Sequence, residues 1–363
     1  MSVPPEPALP AHALRAIDLD ETGQLQMSTP QGPRPVPARA WRPYFAEVLR
    51  PPSSATDIVV YVHGWLTSQE SALMAATELL RLTTVQYEKH SELYGSLGRA
   101  AFSPWGVVVR WPSRSIPSLG GYRRIRDRAH YMSTHGQAAR IIGQLLGYLD
   151  DARGDPRAPS LLRTRGGQYL YLVGHSFGCR FLCEAVQWAA ENPRETTLGW
   201  SVAGRPNRPF TVDSMLLLQM AAPRNAFSDT FTALGGAPLR GPVVTTYSRH
   251  DRATGFWHLR AEKRAGIGHS GIGTAPAPIS GVSMHLVDKA YPLSTLNHPF
   301  VNVDASEVFV GGGLSPSGAH SDHLCGETAH LLLSLAAHSR DGSEQQEDGS
   351  PHGTTPHEPA VPS

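Results

Sequence analysis

The sequence predicts an α/β protein with a mostly parallel sheet and helices on both faces. Three observations carry that reading. Continuous apolar, β-branched runs such as Asp57-Ile-Val-Val-Tyr-Val62 and Gly106-Val-Val-Val-Arg-Trp111 suit strands buried on both sides. Helical stripes of apolar residues alternate with these runs, as crossover connections between parallel strands require. The chemistry-bearing motifs all fall where a strand ends, which is where such sheets bind ligands.

Taken in order, residues 1–40 are rich in Pro and Ala without a sustained period and read as a loosely attached N-terminal arm. Trp41-Arg-Pro-Tyr-Phe-Ala-Glu-Val-Leu49 reads as the first strand, opening a domain expected over 41–338. Asp57–Val62 is a central strand ending at His63-Gly64-Trp65, and Ser68 is the expected cap of a helix through Ala72, Leu73, Ala76, Leu79 and Leu80. Gly106–Trp111 closes at Pro112-Ser113, and a single long helix is expected from about Asp127 to Leu149. The arginines 123, 124, 126 and 128 near its start read as a solvated helix entry. Tyr169–Val173 is the next strand, followed by a helix carrying Phe181, Leu182, Ala185, Val186 and Trp188. Val212–Met220, Val243–Ser248 and Asn302–Val310 are further strands, and the last helix is expected from Gly326 to Ala337. Between about Arg252 and Pro299 the period fails under Gly, Pro and Ser, which reads as an excursion or partial cap. Residues 339–363 are polar and read as a disordered tail.

The totals exclude several classes. Of 363 residues, 40% are hydrophobic and 17% charged, which suits a globular enzyme of one large domain or two smaller ones. A net charge of +1 gives no overall attraction to nucleic acid, a membrane or an acidic partner. Cys179, Cys183 and Cys325 are odd in number and lack a CxxC spacing, so neither a disulfide framework nor a zinc site is indicated. The first residues show no basic and apolar leader, and no apolar run is long enough for a membrane span, so a cytoplasmic location is expected.

The chain is organised around Val173-Gly-His-Ser-Phe-Gly178. Gly-x-Ser-x-Gly between a strand and a helix forms a turn tight enough to aim the serine hydroxyl outward, with a helix N-terminus behind it. Ser176 is therefore the candidate nucleophile. His175, the variable position, is expected to point away and play a structural part. A strand ending in His-Gly-x is the second landmark, and an oxyanion hole is expected from the backbone N–H groups of Trp65 (or Leu66) and Phe177. His63 precedes the serine and is expected to brace the loop.

A serine hydroxyl needs an imidazole to take its proton, and that imidazole needs a carboxylate to hold its tautomer. Asp251, directly after the strand Val243–Ser248, fits the acid better than Asp229 or Asp288, which lack such a strand. His320 and His323 both stand between the last strand and the last helix, and His320 is preferred as the base because it follows the glycine-rich loop more closely. The cluster His320, Asp322, His323, Cys325 and His330 mixes hard and soft ligands without a recognised spacing, so no metal is expected. Gly266-Ile-Gly-His-Ser-Gly271 has dinucleotide-type spacing but no strand before it, so no cofactor is expected either.

Tyr61-Val-His-Gly-Trp65, Val108-Val-Arg-Trp-Pro-Ser113, Gly120-Gly-Tyr122 and the Gly-His-Ser-Phe-Gly turn resemble the α/β-hydrolase superfamily. More closely they resemble a bacterial branch of hydrolase domains of unknown function. Met220-Ala-Ala-Pro223, Tyr247-Ser-Arg-His-Asp251 and Ala319-His-Ser321 extend the resemblance over roughly 55–335. The resemblance implies an α/β-hydrolase fold with Ser176 as nucleophile, Asp251 as acid and His320 as base, and it implies no particular substrate. The expectation is a serine hydrolase acting on a small-molecule ester, with no nucleic-acid partner, no integral membrane segment and no stated oligomeric state. A hydrolase fold kept as a binding or scaffold module is the alternative. A membrane-surface lipase, with Phe256, Trp257 and Tyr291 as exposed aromatics, is a third.

Overall fold

One ten-stranded sheet runs through the molecule. Its strands are β1 (Leu14–Leu19), β2 (Leu25–Thr29), β3 (Gly32–Pro35), β4 (Asp57–Val62), β5 (Pro104–Arg110) and β6 (Tyr169–His175). They continue with β7 (Ser214–Leu218), β8 (Val243–Tyr247), β9 (Ile279–Ser283) and β10 (Phe300–Asp304). The computed structural model describes residues 13–97, 102–153, 167–191, 212–237, 239–273, 278–311, 315 and 317–347. The strand order is β3-β2-β1-β5-β4-β6-β7-β8-β10-β9, and among the described residues only the β1–β2 and β2–β3 pairs are antiparallel. Every residue of β4 is buried, as its unbroken apolar run requires of a strand covered on both faces.

The longer helices are α1 (Trp41–Val48), α2 (Gln69–Lys89), α3 (Leu119–Thr134), α4 (Ala138–Arg153), α5 (Gly178–Glu191) and α6 (Gly326–Glu347). Side chains of α1, α3, α4 and α5 pack in one apolar cluster against one face of the sheet. Those of α2 and α6 pack in a second cluster against the other face. Ser68 caps α2 through its side chain, which accepts from the Ser71 N–H.

Five expectations are corrected. Trp41–Leu49 begins with a helix, not a strand. Trp41, Phe45 and Leu49 are buried at a spacing of four while Arg42, Pro43, Ala46 and Glu47 face solvent, and Pro43 is tolerated in the first turn. The stretch read as a loose arm carries β1 to β3, with β1 hydrogen-bonded in parallel to β5 from Leu14–Gly106 to Asp18–Arg110. The single long helix is two, α3 and α4, broken where the N–H groups of His135 and Gly136 both turn back to the Tyr131 carbonyl. The excursion at 252–299 contains short helical turns and β9, the parallel edge strand beside β10. Residues 1–12 of the arm and 348–363 of the tail lie outside the described residues.

The expected tail also begins too early, because α6 continues past Ser339 and is anchored there. Arg340 donates to both carboxylate oxygens of Asp57 (3.0 and 2.9 Å) and to the Tyr171 hydroxyl (3.2 Å), and its guanidinium lies over the Tyr169 ring. Asp57 is fully buried at the start of β4. Arg340→Ala would leave that carboxylate without its cation, with only hydroxyl partners such as Thr56, and breaking a buried pair from one side costs about 3–5 kcal/mol. A urea titration of the variant should show a loss of that size, and an unchanged midpoint would mean that the α6 anchor adds nothing.

Candidate active site

β6 ends at His175 and α5 begins at Gly178, so the chain reverses within two residues. Ser176 takes a left-handed φ of 56°, unusual for a residue with a side chain. Its N–H donates to the Leu218 carbonyl of β7, and its own carbonyl accepts from Cys179 and Ala221. Those bonds hold the turn. A Cβ on Gly178 would lie 2.1 Å from the Val62 carbonyl oxygen, so β4 passes too close for any side chain there.

The expected acid and base converge on that serine. His320 Nε2 lies 2.8 Å from Ser176 Oγ, and His320 Nδ1 lies 2.8 Å from Asp251 Oδ2. Asp251 follows β8 and is fully buried; its Oδ1 accepts from the Thr254 N–H at 3.0 Å. With the carboxylate accepting a hydrogen bond from Nδ1–H, the Nε2 lone pair is left facing the serine hydroxyl, the tautomer needed to accept its proton.

Among the buried histidines, geometry separates His320 from the rest. His63 Nδ1 donates to the Gly64 carbonyl, its Nε2 accepts from the Trp111 N–H, and its ring stacks on Trp111. Burial drives its pKa down to about 4, so it is a neutral brace for the loop after β4. His175 points away from Ser176 and donates its Nε2–H to the His320 carbonyl at 2.8 Å. His323 stacks on His175 at 3.8 Å between ring centroids. Neither His323 nitrogen has a hydrogen-bond partner, although the His320 carbonyl lies near enough to favour the charged ring slightly; burial outweighs this and takes its pKa down to about 3. The other side chains of the weighed metal cluster point elsewhere. Asp322 accepts from the Gly311 N–H, while His330 accepts from the Tyr94 hydroxyl and donates to the Lys289 carbonyl.

The loop after β4 brings Gly64 and Trp65 beside the serine. A Cβ on Gly64 would lie 2.7 Å from Ser176 Cβ. The Leu66 N–H is bonded to the Ser113 carbonyl, so it is not a free donor. The backbone N–H groups of Trp65 and Phe177 have no hydrogen-bond partner among the described residues. The Trp65 side chain turns away, donating to Ser115 Oγ and meeting the edge of Tyr122.

One residue was missed. Gln219, just past β7, is fully buried with a φ of 47°. Its amide donates to Asp251 Oδ2 (3.2 Å) and to the Ala319 carbonyl (2.9 Å), tying Asp251 to the residue before His320. The available signal was a glutamine closing the apolar run Val212–Met220, since a buried amide must find partners.

Two outcomes follow from this geometry. Gly64→Val pushes directly on Ser176 and should lower turnover of an activated ester by about 10²–10³, whereas Trp65→Ala keeps the backbone donor and should stay within about tenfold. Equal, mild losses would place the oxyanion donors elsewhere. The histidines also predict acid sensitivity. The folded pKa values of His63 and His323, about 4 and about 3, lie below the ordinary value of 6.5, so their contribution is complete above that value and is lost as pH falls toward the folded values. Each should cost about 1.4 kcal/mol per pH unit in that window. His323→Leu, measured by urea unfolding at about pH 7 and about pH 5, should lose roughly 2 kcal/mol less than the parent; an identical acid loss would rule His323 out as a source.

No family model matches the chain, and no curated protein is similar to it in sequence. Among solved structures, TT1662 from Thermus thermophilus is 13% identical with a TM-score of 0.37, covering 80% of this chain and 91% of its own. Phospholipase PlaB from Legionella pneumophila is 15% identical with a TM-score of 0.24, covering 53% of this chain and 38% of its own. A lipase-esterase related protein from Clostridium acetobutylicum is 9% identical with a TM-score of 0.22, covering 82% and 96%. The strand order, the Ser176 turn after β6, the aspartate after β8 and the histidine before α6 are by themselves the arrangement of an α/β-hydrolase fold.

Proposed function

We propose that the protein is a serine hydrolase that cleaves a carboxylic ester through an acyl-enzyme. The observation that carries this reading is the unbroken run of 2.8 Å contacts from Ser176 Oγ to His320 to Asp251. Ser176 Oγ attacks the ester carbonyl while His320 Nε2 takes its proton. The carbonyl oxygen, now an anion, is met by the unpartnered N–H groups of Trp65 and Phe177. Collapse of the tetrahedral species expels the alcohol, which receives the proton back from His320 and leaves Ser176 acylated. Water then attacks the acyl group with His320 again as base, releasing the acid and restoring the serine. Asp251 holds the imidazole tautomer throughout and stabilises its charged form, and Gln219 and the Thr254 N–H hold Asp251.

The near-complete burial of the triad gives these charges a low-dielectric setting, since Ser176 is 2% exposed, His320 7% and Asp251 0%. The test is a fluorophosphonate probe together with a series of p-nitrophenyl esters of increasing acyl length. Ser176→Ala and His320→Ala should each abolish labelling and lower turnover by about 10⁴ or more, and the double variant should lose little beyond either, because the residues act as one device. His323→Leu should keep most of the rate. Normal labelling of His320→Ala would remove the base from this mechanism, and unchanged ester turnover by Ser176→Ala would remove the mechanism itself.

A further inference from the structure

The segments flanking the site carry a combination of side chains that the triad does not use. Leu66, Ile116, Phe256 and Leu259, four of the ten exposed large hydrophobic residues among the described residues, are 45%, 72%, 46% and 50% exposed. All four sit on segments that leave the carboxyl ends of strands: β4 for Leu66, β5 for Ile116, β8 for Phe256 and Leu259. Tyr122 joins these segments, since its ring meets Trp65 and Phe177 and its hydroxyl pairs with His258 Nδ1 at 2.9 Å. Trp65 in turn donates to Ser115, the neighbour of Ile116. The segments that carry the exposed apolar side chains are therefore linked to one another and to the Ser176 turn. Of the three aromatics singled out in the sequence, Phe256 belongs to this rim, whereas Tyr291 is buried and Trp257 packs against the core.

The segments after β5 and β8 also carry cations. Arg114, Arg123, Arg124, Arg252, Arg260 and Lys263 are all exposed. Arg123 donates to the Arg260 carbonyl, and the Arg260 guanidinium lies 4.3 Å from the centre of the Phe256 ring. Arg126 is neutralised by Asp127 and Glu262, and Arg264 by Asp229. Arg114, Arg124 and Lys263 have no acidic partner among the described residues. A chain of net charge +1 thus concentrates unpaired positive charge where it exposes apolar side chains.

From this placement we infer that the rim around Ser176 docks on an anionic phospholipid surface. Apolar side chains enter the boundary between headgroups and acyl chains, and the surrounding cations meet lipid phosphates. Apolar exposure alone would suit a second copy of the chain, but two copies of this rim would bring their unpaired cations together. An anionic bilayer satisfies both the apolar and the cationic components. No described helix is long and apolar enough to cross a membrane, so the contact is peripheral. The inference concerns binding and does not depend on the serine chemistry.

The test is co-sedimentation of the full chain with phosphatidylcholine vesicles with and without phosphatidylglycerol, at low and high salt. Ser176→Ala serves as the reference protein, so loss of hydrolysis does not enter the result. Binding should require phosphatidylglycerol and weaken as salt is raised. Arg124→Glu and Lys263→Glu should each weaken partitioning at least about 5-fold. Ile116→Glu should weaken it while unfolding at the parental temperature. No binding to either vesicle, equal binding to both, or unaltered binding by the charge-reversed variants would each overturn the inference. So would a rim variant whose only effect is to turn a dimer into a monomer on sizing.

Discussion

The left-handed turn at Ser176 is the constraint from which the rest of the site follows. β6 and α5 meet so closely that β4 runs within contact of Gly178, and the loop after β4 is drawn in against Ser176. One close approach therefore sets two things: where the hydroxyl points, and where the Trp65 and Phe177 N–H groups lie relative to it. The strain at Ser176 is held by three backbone hydrogen bonds to neighbouring segments. A looser turn would release the strain, and Ser176 Oγ would lose its alignment with His320.

The same residue type plays four different parts within this small volume, and partners decide which. His320 has a carboxylate on one nitrogen and a hydroxyl on the other. His63 is committed to backbone groups, and its neutral ring serves as a brace. His175 anchors the carbonyl of the base, and His323 fills the space behind it. Burial keeps His63, His175 and His323 uncharged, so positive charge does not accumulate beside His320.

The site and the opposite end of the sheet are linked through α6. The loop carrying His320 leads directly into that helix, whose far end is tied by Arg340 to Asp57 at the start of β4. β4 ends at His63 and Gly64. The helix that follows the His320 loop and the strand that leads to Gly64 and Trp65 are thus joined at their remote ends by a buried ion pair. Closer to the chemistry, Gln219 makes the corresponding tie between the acid and the histidine loop.

What the sequence determined alone was whatever depends on short-range spacing and side-chain type. The Gly-His-Ser-Phe-Gly turn, the doubly buried run Asp57–Val62, the Ser68 cap and the aspartate after Val243–Ser248 were legible because each is a local pattern with one physical reading. Tertiary structure decided the ambiguous pieces. Trp41–Leu49 is short enough to suit either period, and packing of Trp41, Phe45 and Leu49 against the sheet made it a helix. β1 to β3 and β9 lie at the sheet's edges, where half-exposed strands lack a continuous apolar run, so they passed for an arm and an irregular excursion. His320 and His323 are three residues apart and chemically identical. Which one faces Ser176 depends on how the loop before α6 returns over the sheet, and long-range contacts to Asp251, Gln219 and His175 set that return.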